Sequence, residues 1–292
     1  MNILIFFSQW RDIFFDTIKA ISLFCEKENG NVGIYFDNQS DNERIKNKIS
    51  QFENIIIENN NFKNKYCCII SLGGDGTLLD TLPISLKYKL PVYGINYGKL
   101  GFLTWGDPQY IVEYLNRIKN NEYNISKRAT IELNIKEHTS LFHNALNEVT
   151  IKQYKDQYLI SVELYINDNF VCSYWADGLI VATPTGSTAY SLSCGGPILE
   201  PTAANFVITP IAPHNLTSRP LVIRDDTVLT LIVKYPDIPI LLTADANNHI
   251  ISAGQQVILK KSKNYFPLIE FEENSFYKVL RNKLMWGQDN RK

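Results

Sequence analysis

The chain has 292 residues, 45% of them hydrophobic and 20% charged, a balance that excludes disordered and collagen-like classes. Twenty-nine basic residues stand against thirty acidic ones, and the net charge of −1 argues against a nucleic-acid partner. At ~100–200 residues per domain, the length points to two domains or one large one.

The longest apolar runs, such as Ile3–Phe7 and Leu179–Ala182, fall far short of the ~20 residues of a membrane span, so no membrane partner is expected. Met1–Phe7 lacks a basic leading segment, and no secretory signal is read there. The five cysteines, at 25, 67, 68, 172 and 194, form no CxxC pair. They read as small buried hydrophobes of a reducing cytoplasm, with no zinc or other protein-held metal site.

The first part of the chain alternates strand and helix signals. Asn2–Phe7 is a nearly continuous apolar run, as in a buried strand. Phe14, Ile18, Ile21 and Phe24 then recur at helical spacing. Val32–Phe36 reads as a strand, and Ile45, Ile49 and Phe52 as the inner face of a second helix. Ile55–Ile57 and Cys67–Ser71 are further strands, a helical stretch begins at Thr77, and Pro91–Ile95 follows as a strand. Asp107–Pro108 opens a helix, with Asp as N-cap and Pro at the first position, continued by Ile111, Tyr114, Leu115 and Ile118. Such βαβ order predicts a mostly parallel, Rossmann-like sheet over residues 1–123.

From residue 124 to 270 the reading is almost all strand. Ile131, Leu133 and Ile135 alternate with polar residues, as do Ile160, Val162, Leu164 and Ile166. Val171–Trp175, Leu179–Ala182, Phe206–Thr209, Val228–Val233, Ile240–Thr243 and Val257–Lys260 are further strands. Turns are read at Asn167-Asp168-Asn169 and Asp245-Ala246-Asn247-Asn248. The pattern predicts an all-β, sandwich-like C-terminal domain. Residues 271–292 are helical again through Phe276, Val279, Leu280 and Leu284, and are expected to return to the first domain. There is no internal repeat, and Asn59–Asn61 reads as a polar turn.

Three stretches carry chemistry. Gly73-Gly74-Asp75-Gly76-Thr77 directly follows a buried strand and precedes Leu78-Leu79. Ligands of open parallel sheets bind beyond the carboxyl ends of strands. Glycines let backbone approach phosphate and permit positive φ. A carboxylate within a phosphate cradle repels its ligand, so Asp75 must serve another purpose, either binding a metal or accepting a proton from an attacking hydroxyl. The loop is neither a P-loop nor a GxGxxG fingerprint. Asn147-Glu148, after the run Leu141–Leu146, reads either as a holder of ribose hydroxyls or as a solvated strand start. Asp177-Gly178 and the segment Thr183–Ser193, followed by Gly195-Gly196-Pro197, offer many small donors, and Tyr190 can stack on a base. A serine hydrolase is disfavoured: there is no G-x-S-x-G elbow, and His138, His143, His214 and His249 offer no evident base.

Taken together, these residues resemble the NAD kinase family over nearly the whole chain, to Leu280-Arg281-Asn282-Lys283-Leu284. The GGDGT loop is shared with diacylglycerol-type lipid kinases. Asn147-Glu148 with Pro184–Tyr190 is specific to the family, and Asn96, Gly98 and Gly101-Phe102-Leu103 match its N-x-G-x-x-G-F-L stretch. The resemblance implies transfer of the γ-phosphoryl of ATP to the adenosine ribose 2′-hydroxyl of NAD, with Mg²⁺ on the ATP, and NAD held in the cleft between the domains. It gives Asp75 the role of proton acceptor and places Gly73, Gly74 and Gly76 along the phosphates. Asn147 and Glu148 would meet the adenosine and ribose, and Thr188, Ala189, Tyr190 and Ser193 the NAD pocket, with Phe102 on the nicotinamide side. Asp177 and Ala212 would come from a neighbouring subunit of a homodimer or homotetramer. Asn247 stands where the family often has a longer Gln, and Trp175 where many bacterial relatives have Arg. Lys99 is the lysine nearest the motifs in sequence, so the metal is expected to supply most charge neutralisation. The alternatives are a lipid kinase with the same loop and a catalytically silent dinucleotide sensor.

Overall fold

The computed structural model describes residues 1–36, 42–59, 62, 65–136, 143–154, 159–235, 238–273 and 275–287. His138, the start of the Leu141–Leu146 run and the last two residues of the Asn59–Asn61 turn lie outside the described residues. The chain divides into two compact units: Met1–Ser126 with Pro267–Lys292, and Lys127–Phe266.

The first unit opens with β1 (Ile3–Phe7), every residue of which is buried, as its unbroken apolar run requires. The chain continues through α1 (Phe15–Lys27), β2 (Val32–Phe36), α2 (Asn42–Ile49), β3 (Ile55–Ile57) and β4 (Cys68–Gly73). After α3 (Asp75–Leu79) and α4 (Leu82–Tyr88) come β5 (Val92–Asn96), α5 (Ile111–Lys119) and β6 (Asn124–Arg128). The helical stripes face one core: Ile18, Ile21 and Phe24 of α1, and Ile111, Leu115 and Ile118 of α5, pack with Ile3, Ile5 and Phe7. Asp107 caps as its sequence predicts, its side chain accepting from Gln109 N–H at 3.0 Å, but onto a short 3₁₀ turn, Pro108–Tyr110, that leads into α5. α2 ends at Ile49, so Phe52 lies beyond it and joins the core from a turn.

The second unit contains β7 (Ile131–Ile135), β8 (His143–Ala145), β9 (Glu148–Gln153), β10 (Ile160–Ile166), β11 (Asn169–Ala176), β12 (Gly178–Ala182), α6 (Tyr190–Ser193) and β13 (Asn205–Ile211). β14 (Leu221–Arg224), β15 (Leu229–Tyr235), β16 (Ile240–Ala244), β17 (Asn247–Ile251) and β18 (Gln256–Lys261) complete it. They form two antiparallel six-stranded sheets, β11-β10-β15-β18-β7-β8 and β14-β13-β12-β9-β16-β17. Alternate residues of both sheets, among them Leu133, Val162, Leu231, Ile151, Val181 and Phe206, meet in one core. The outer side of β12 is covered too: Ile180, Ala182 and Val207 pack under Cys194 and Leu199. That double cover explains the unbroken Leu179–Ala182 run. Asn167 and Asp168 both take positive φ, 47° and 64°, in the tight turn joining β10 to β11.

The chain then returns to the first unit with β19 (Phe266–Glu270) and α7 (Phe276–Leu284). The resulting sheet runs β3-β2-β1-β4-β5-β19-β6, and β19 lies parallel to β5. Successive strands go to one side of β1 and then to the other, so the switch point lies between β1 and β4. The α/β architecture followed by antiparallel sheets and a closing helix is the fold that the sequence predicts. The cysteines depart from expectation: Cys25 and Cys68 are buried, but Cys67 is exposed and Cys172 and Cys194 are half-buried. No helix among the described residues is long and apolar enough to cross a membrane.

Candidate functional site

At the switch point, β4 delivers the glycine-rich loop and α3 begins at Asp75. Gly73 is packed tightly: a Cβ there would lie 2.3 Å from the Thr77 hydroxyl oxygen. Around Gly74 and Gly76 the space is open, and neither has positive φ, so their role is to leave room rather than to make an unusual turn. Gly73→Ala is therefore expected to lower the melting temperature by a loss of roughly 1–3 kcal/mol. Gly76→Ala should leave it unchanged and act on kcat or KM alone. Thermal unfolding of both variants beside their kinetics checks this, and equal melting losses would refute it. The loop after β1 joins the same place, with the Ser8 hydroxyl donating to Asp80 of the segment after α3 at 2.6 Å.

The Asp75 carboxylate gathers the loop that follows β5. Oδ2 accepts from Phe102 N–H at 2.7 Å. Oδ1 accepts from Leu103 N–H at 3.1 Å, and from Thr104 N–H and its hydroxyl at 3.0 and 2.9 Å. Asn96 holds the same loop from inside, accepting from Gly98 N–H at 2.7 Å and donating to the Lys99 and Thr104 carbonyls at 2.9 and 3.2 Å. Gly101 has no room for a side chain, since a Cβ would fall 2.0 Å from Asp75 Oδ1. Lys283 of α7 brings its Nζ to 3.7 Å from Asp75 Oδ2 and to 4.7 Å from the centre of the Phe102 ring.

The second unit builds its own group around Asn147-Glu148. Asp245, at φ 48° in the β16–β17 turn, accepts three successive backbone N–H groups: Leu146 at 2.6 Å, Asn147 at 2.9 Å and Glu148 at 3.1 Å. The Thr183–Ser193 segment is tied to the same backbone. Thr183 N–H donates to the Asn147 carbonyl at 2.9 Å, and its hydroxyl to the Leu146 carbonyl at 2.6 Å. A Cβ at Gly186 would lie 2.1 Å from that Asn147 oxygen, so only glycine fits. Glu148 is the unusual titrating group. Burial, reinforced by the charge of Asp245 and opposed by a hydrogen bond from the Tyr190 backbone, pushes its carboxyl up to about 8. Its Oε2 is buried and has no hydrogen-bond partner among the described residues. An acid neutral at pH 7 can both donate and accept, unlike an ionised carboxylate.

Each residue singled out in the sequence has a definite place. Gly73, Gly74, Asp75, Gly76 and Phe102 come together in the first unit. In the second, Asn147, Glu148, Thr188, Ala189, Tyr190 and Ser193 lie on the Glu148 strand or the segment bonded to it, with Thr188 donating to the Thr185 carbonyl at 3.1 Å. Burial, followed by the nearby Cys194, Asp177 and Glu148 of its own chain, raises the phenol of Tyr190. Ala212 is exposed with φ 42°. Asn247 begins β17 and turns its amide toward the Ala244 carbonyl at 3.4 Å, so the turn is shorter than the four residues read from sequence. Two residues of these clusters are not singled out as site residues by a reading of the sequence. Asp245 looks there like a turn residue only, and Lys283 like part of a helix only. The turn motif is the available signal for the first, and the Val279, Leu280 and Lys283 spacing for the second.

A parallel sheet with an acidic glycine loop at its switch point, in a chain that also holds a dry carboxyl beside small donors, is an arrangement suited to phosphoryl transfer. The sequence profiles of the ATP-NAD kinase N-terminal and C-terminal domains match residues 23–123 and 146–271. The chain belongs to the NAD kinase family. It is 42% identical over 236 residues to an NAD kinase of Flavobacterium johnsoniae, covering 80% of each chain. It is 40% identical to one of Flavobacterium psychrophilum, covering 82% of this chain and 87% of that one. Among solved structures, yeast NADH kinase complexed with NADH superposes with a TM-score of 0.87 at 21% identity, over 100% of this chain and 89% of that chain. An NAD kinase from Archaeoglobus fulgidus in complex with ATP gives 0.65 at 25% identity, over 98% and 99%.

Proposed function

We propose that the chain transfers the γ-phosphoryl of ATP to the 2′-hydroxyl of the adenosine ribose of NAD, giving NADP and ADP. The observation that carries this reading is the carboxylate of Asp75. Its Oδ1 takes three hydrogen bonds and its Oδ2 one, which leaves Oδ2 able to receive a hydroxyl proton. The ribose oxygen attacks the γ-phosphorus, its proton passes to Asp75, and ADP leaves with the electrons of the broken P–O bond. Phosphoryl transfer needs position and neutralised charge more than covalent help. The open backbone at Gly74 and Gly76 receives phosphate oxygens. Asn147 and Glu148 hold the ribose and adenosine, while Thr188, Ala189, Tyr190 and Ser193 line the dinucleotide's path, with Phe102, Asp177, Ala212 and Asn247 as further contacts.

Among the described residues no group of three or more His, Cys, Asp or Glu side chains is placed to cage a metal. The Asp75 carboxylate beside the open backbone of Gly74 and Gly76 suits Mg²⁺ that would arrive on the ATP phosphates and take one or two protein oxygens. Bound there, the ion neutralises phosphate charge. Formation of NADP from NAD, ATP and Mg²⁺ by the purified chain tests the reading. Phosphorylation of diacylglycerol in vesicles without NADP formation would favour the lipid kinase instead, and dinucleotide binding without turnover the sensor.

The chain works in the cytoplasm as a homodimer or homotetramer. Support for assembly comes from β11, a sheet-edge strand that exposes Phe170 by 57% and Trp175 by 46%, with the Trp175 ring 5.9 Å from that of Tyr235. Exposed apolar clusters of this kind mark interaction surfaces. Phe170→Asp with Trp175→Asp is expected to dissociate the assembly, as read by sedimentation. A wild-type chain that sediments as a monomer at all concentrations would remove the oligomer from this reading.

A further inference from the structure

We propose that Lys283 is a positioning residue of the phosphoryl transfer, a fixed cation beside the proton-accepting oxygen of Asp75. The inference rests on the reading of function above. α7 presents Phe276, Val279, Leu280 and Lys283 at spacings of 3, 1 and 3, one helical face. Val279 and Leu280 are buried, and the Phe276 ring lies 6.4 Å from that of Phe102. That packing fixes where the next turn of the same face points. Lys283 therefore extends over the Phe102 ring toward Asp75, its stem lying along apolar surface and its head at the carboxylate.

The distances decide what the ammonium does there. At 3.7 Å it is outside hydrogen-bond range of Oδ2, so it attracts that oxygen without occupying its lone pair. Phe102 holds the ammonium from the other side through its ring face, 4.7 Å away. Phe102 also donates its backbone N–H to the same Oδ2. Lys283, Phe102 and Asp75 thus form a closed triangle that leaves an Oδ2 lone pair uncommitted. A hydroxyl arriving there, and the phosphoryl group it attacks, meet a positive charge already in place. Fixed charge of this kind lowers the barrier because it needs no reorganisation during the reaction. The bland role, a lysine favoured at a helix C-terminus, would stabilise α7 without touching turnover.

Chemical rescue separates the two. In Lys283→Ala, kcat is expected to fall roughly 10²-fold, with KM for NAD changed by less than about threefold. Ethylammonium chloride should restore part of kcat in a saturable way, and tetramethylammonium chloride should not. Lys283→Arg should keep more activity than Lys283→Ala, and Lys278→Met, elsewhere on α7, should keep all of it. A folded Lys283→Ala protein with kcat within a factor of about two of wild type overturns the proposal. So does a rise in KM with kcat preserved, or a lost kcat that tracks a lowered melting temperature and does not respond to ethylammonium. A wild-type chain that forms no NADP overturns the functional reading, and this inference with it.

Discussion

Replacing Asp75 by Asn is expected to lower kcat by roughly 10²–10⁴-fold while leaving NAD affinity largely intact. The amide keeps the shape but cannot take up the hydroxyl proton. The structure adds a second expected effect. Both carboxylate oxygens face N–H donors of Phe102, Leu103 and Thr104, so either orientation of an Asn side chain turns its NH₂ toward at least one of them. A lost acceptor of that kind costs roughly 1–3 kcal/mol. The variant should therefore melt earlier, and the amides of residues 102–104 should exchange faster. Near wild-type kcat would end the proton-acceptor assignment, whatever the melting temperature does.

Glu148 should show itself through pH. Its carboxyl is raised from an ordinary 4.5 to about 8 by burial and by the charge of Asp245. In the unfolded chain the group ionises near its ordinary value, whereas in the folded chain it stays neutral until the pH approaches 8. The folded state thus holds a proton that the unfolded state has released, and its contribution to stability is full below about pH 4.5. It is lost as the pH rises to about 8, at ~1.4 kcal/mol per unit and roughly 3–5 kcal/mol in all. Glu148→Gln mimics the neutral acid and should abolish this slope, so the variant gains on wild type as the pH rises. Denaturant titrations of both proteins across the window test it, and a difference in stability independent of pH would show that Glu148 is ionised throughout. In kinetics, Glu148→Ala should raise KM for NAD by about 5- to 150-fold and KM for ATP far less, since the lost partner of a ribose hydroxyl is worth roughly 1–3 kcal/mol. Equal rises would mark a folding defect.

Much of the fold is legible because its strands and helices declare their cover. β1 and β12 are buried on both faces and read as unbroken apolar runs, while β10 alternates because one side is wetter. What escapes are strands whose partners supply the order. β17 begins Asn247-Asn248, turn-like residues that are nonetheless paired with Ala244 and Thr243. β8 and β14 are short edge strands. β19 lacks a local signal that it joins the parallel sheet of a unit left behind at Ser126. The site follows the same rule. Gly73–Thr77 and Asn147-Glu148 are contiguous, and contiguity can be read. Asp245 reaches amides 97 to 99 residues away in sequence, and the whole second unit separates Lys283 from its carboxylate along the chain. Long-range pairings of that kind are set by topology, which spacing along the chain does not encode.

Because β19 and α7 come after the second unit, the first cannot be finished when its own opening segment has been made. On the ribosome the chain has β1 to β5 and the Asp75 loop early, then waits while residues 127–266 are synthesised, which at about 5–20 residues per second takes on the order of 10–30 s. For that interval the β5 edge has only its bridge to Gly106 and lacks β19, and Asp75 has no Lys283 beside it. The newborn protein therefore spends its longest vulnerable period with a half-built sheet, which is completed only once β19 and α7 have been made. A nascent chain shortened before Pro267 should have its second unit folded and its first still exchanging edge partners, with other chains if they are near.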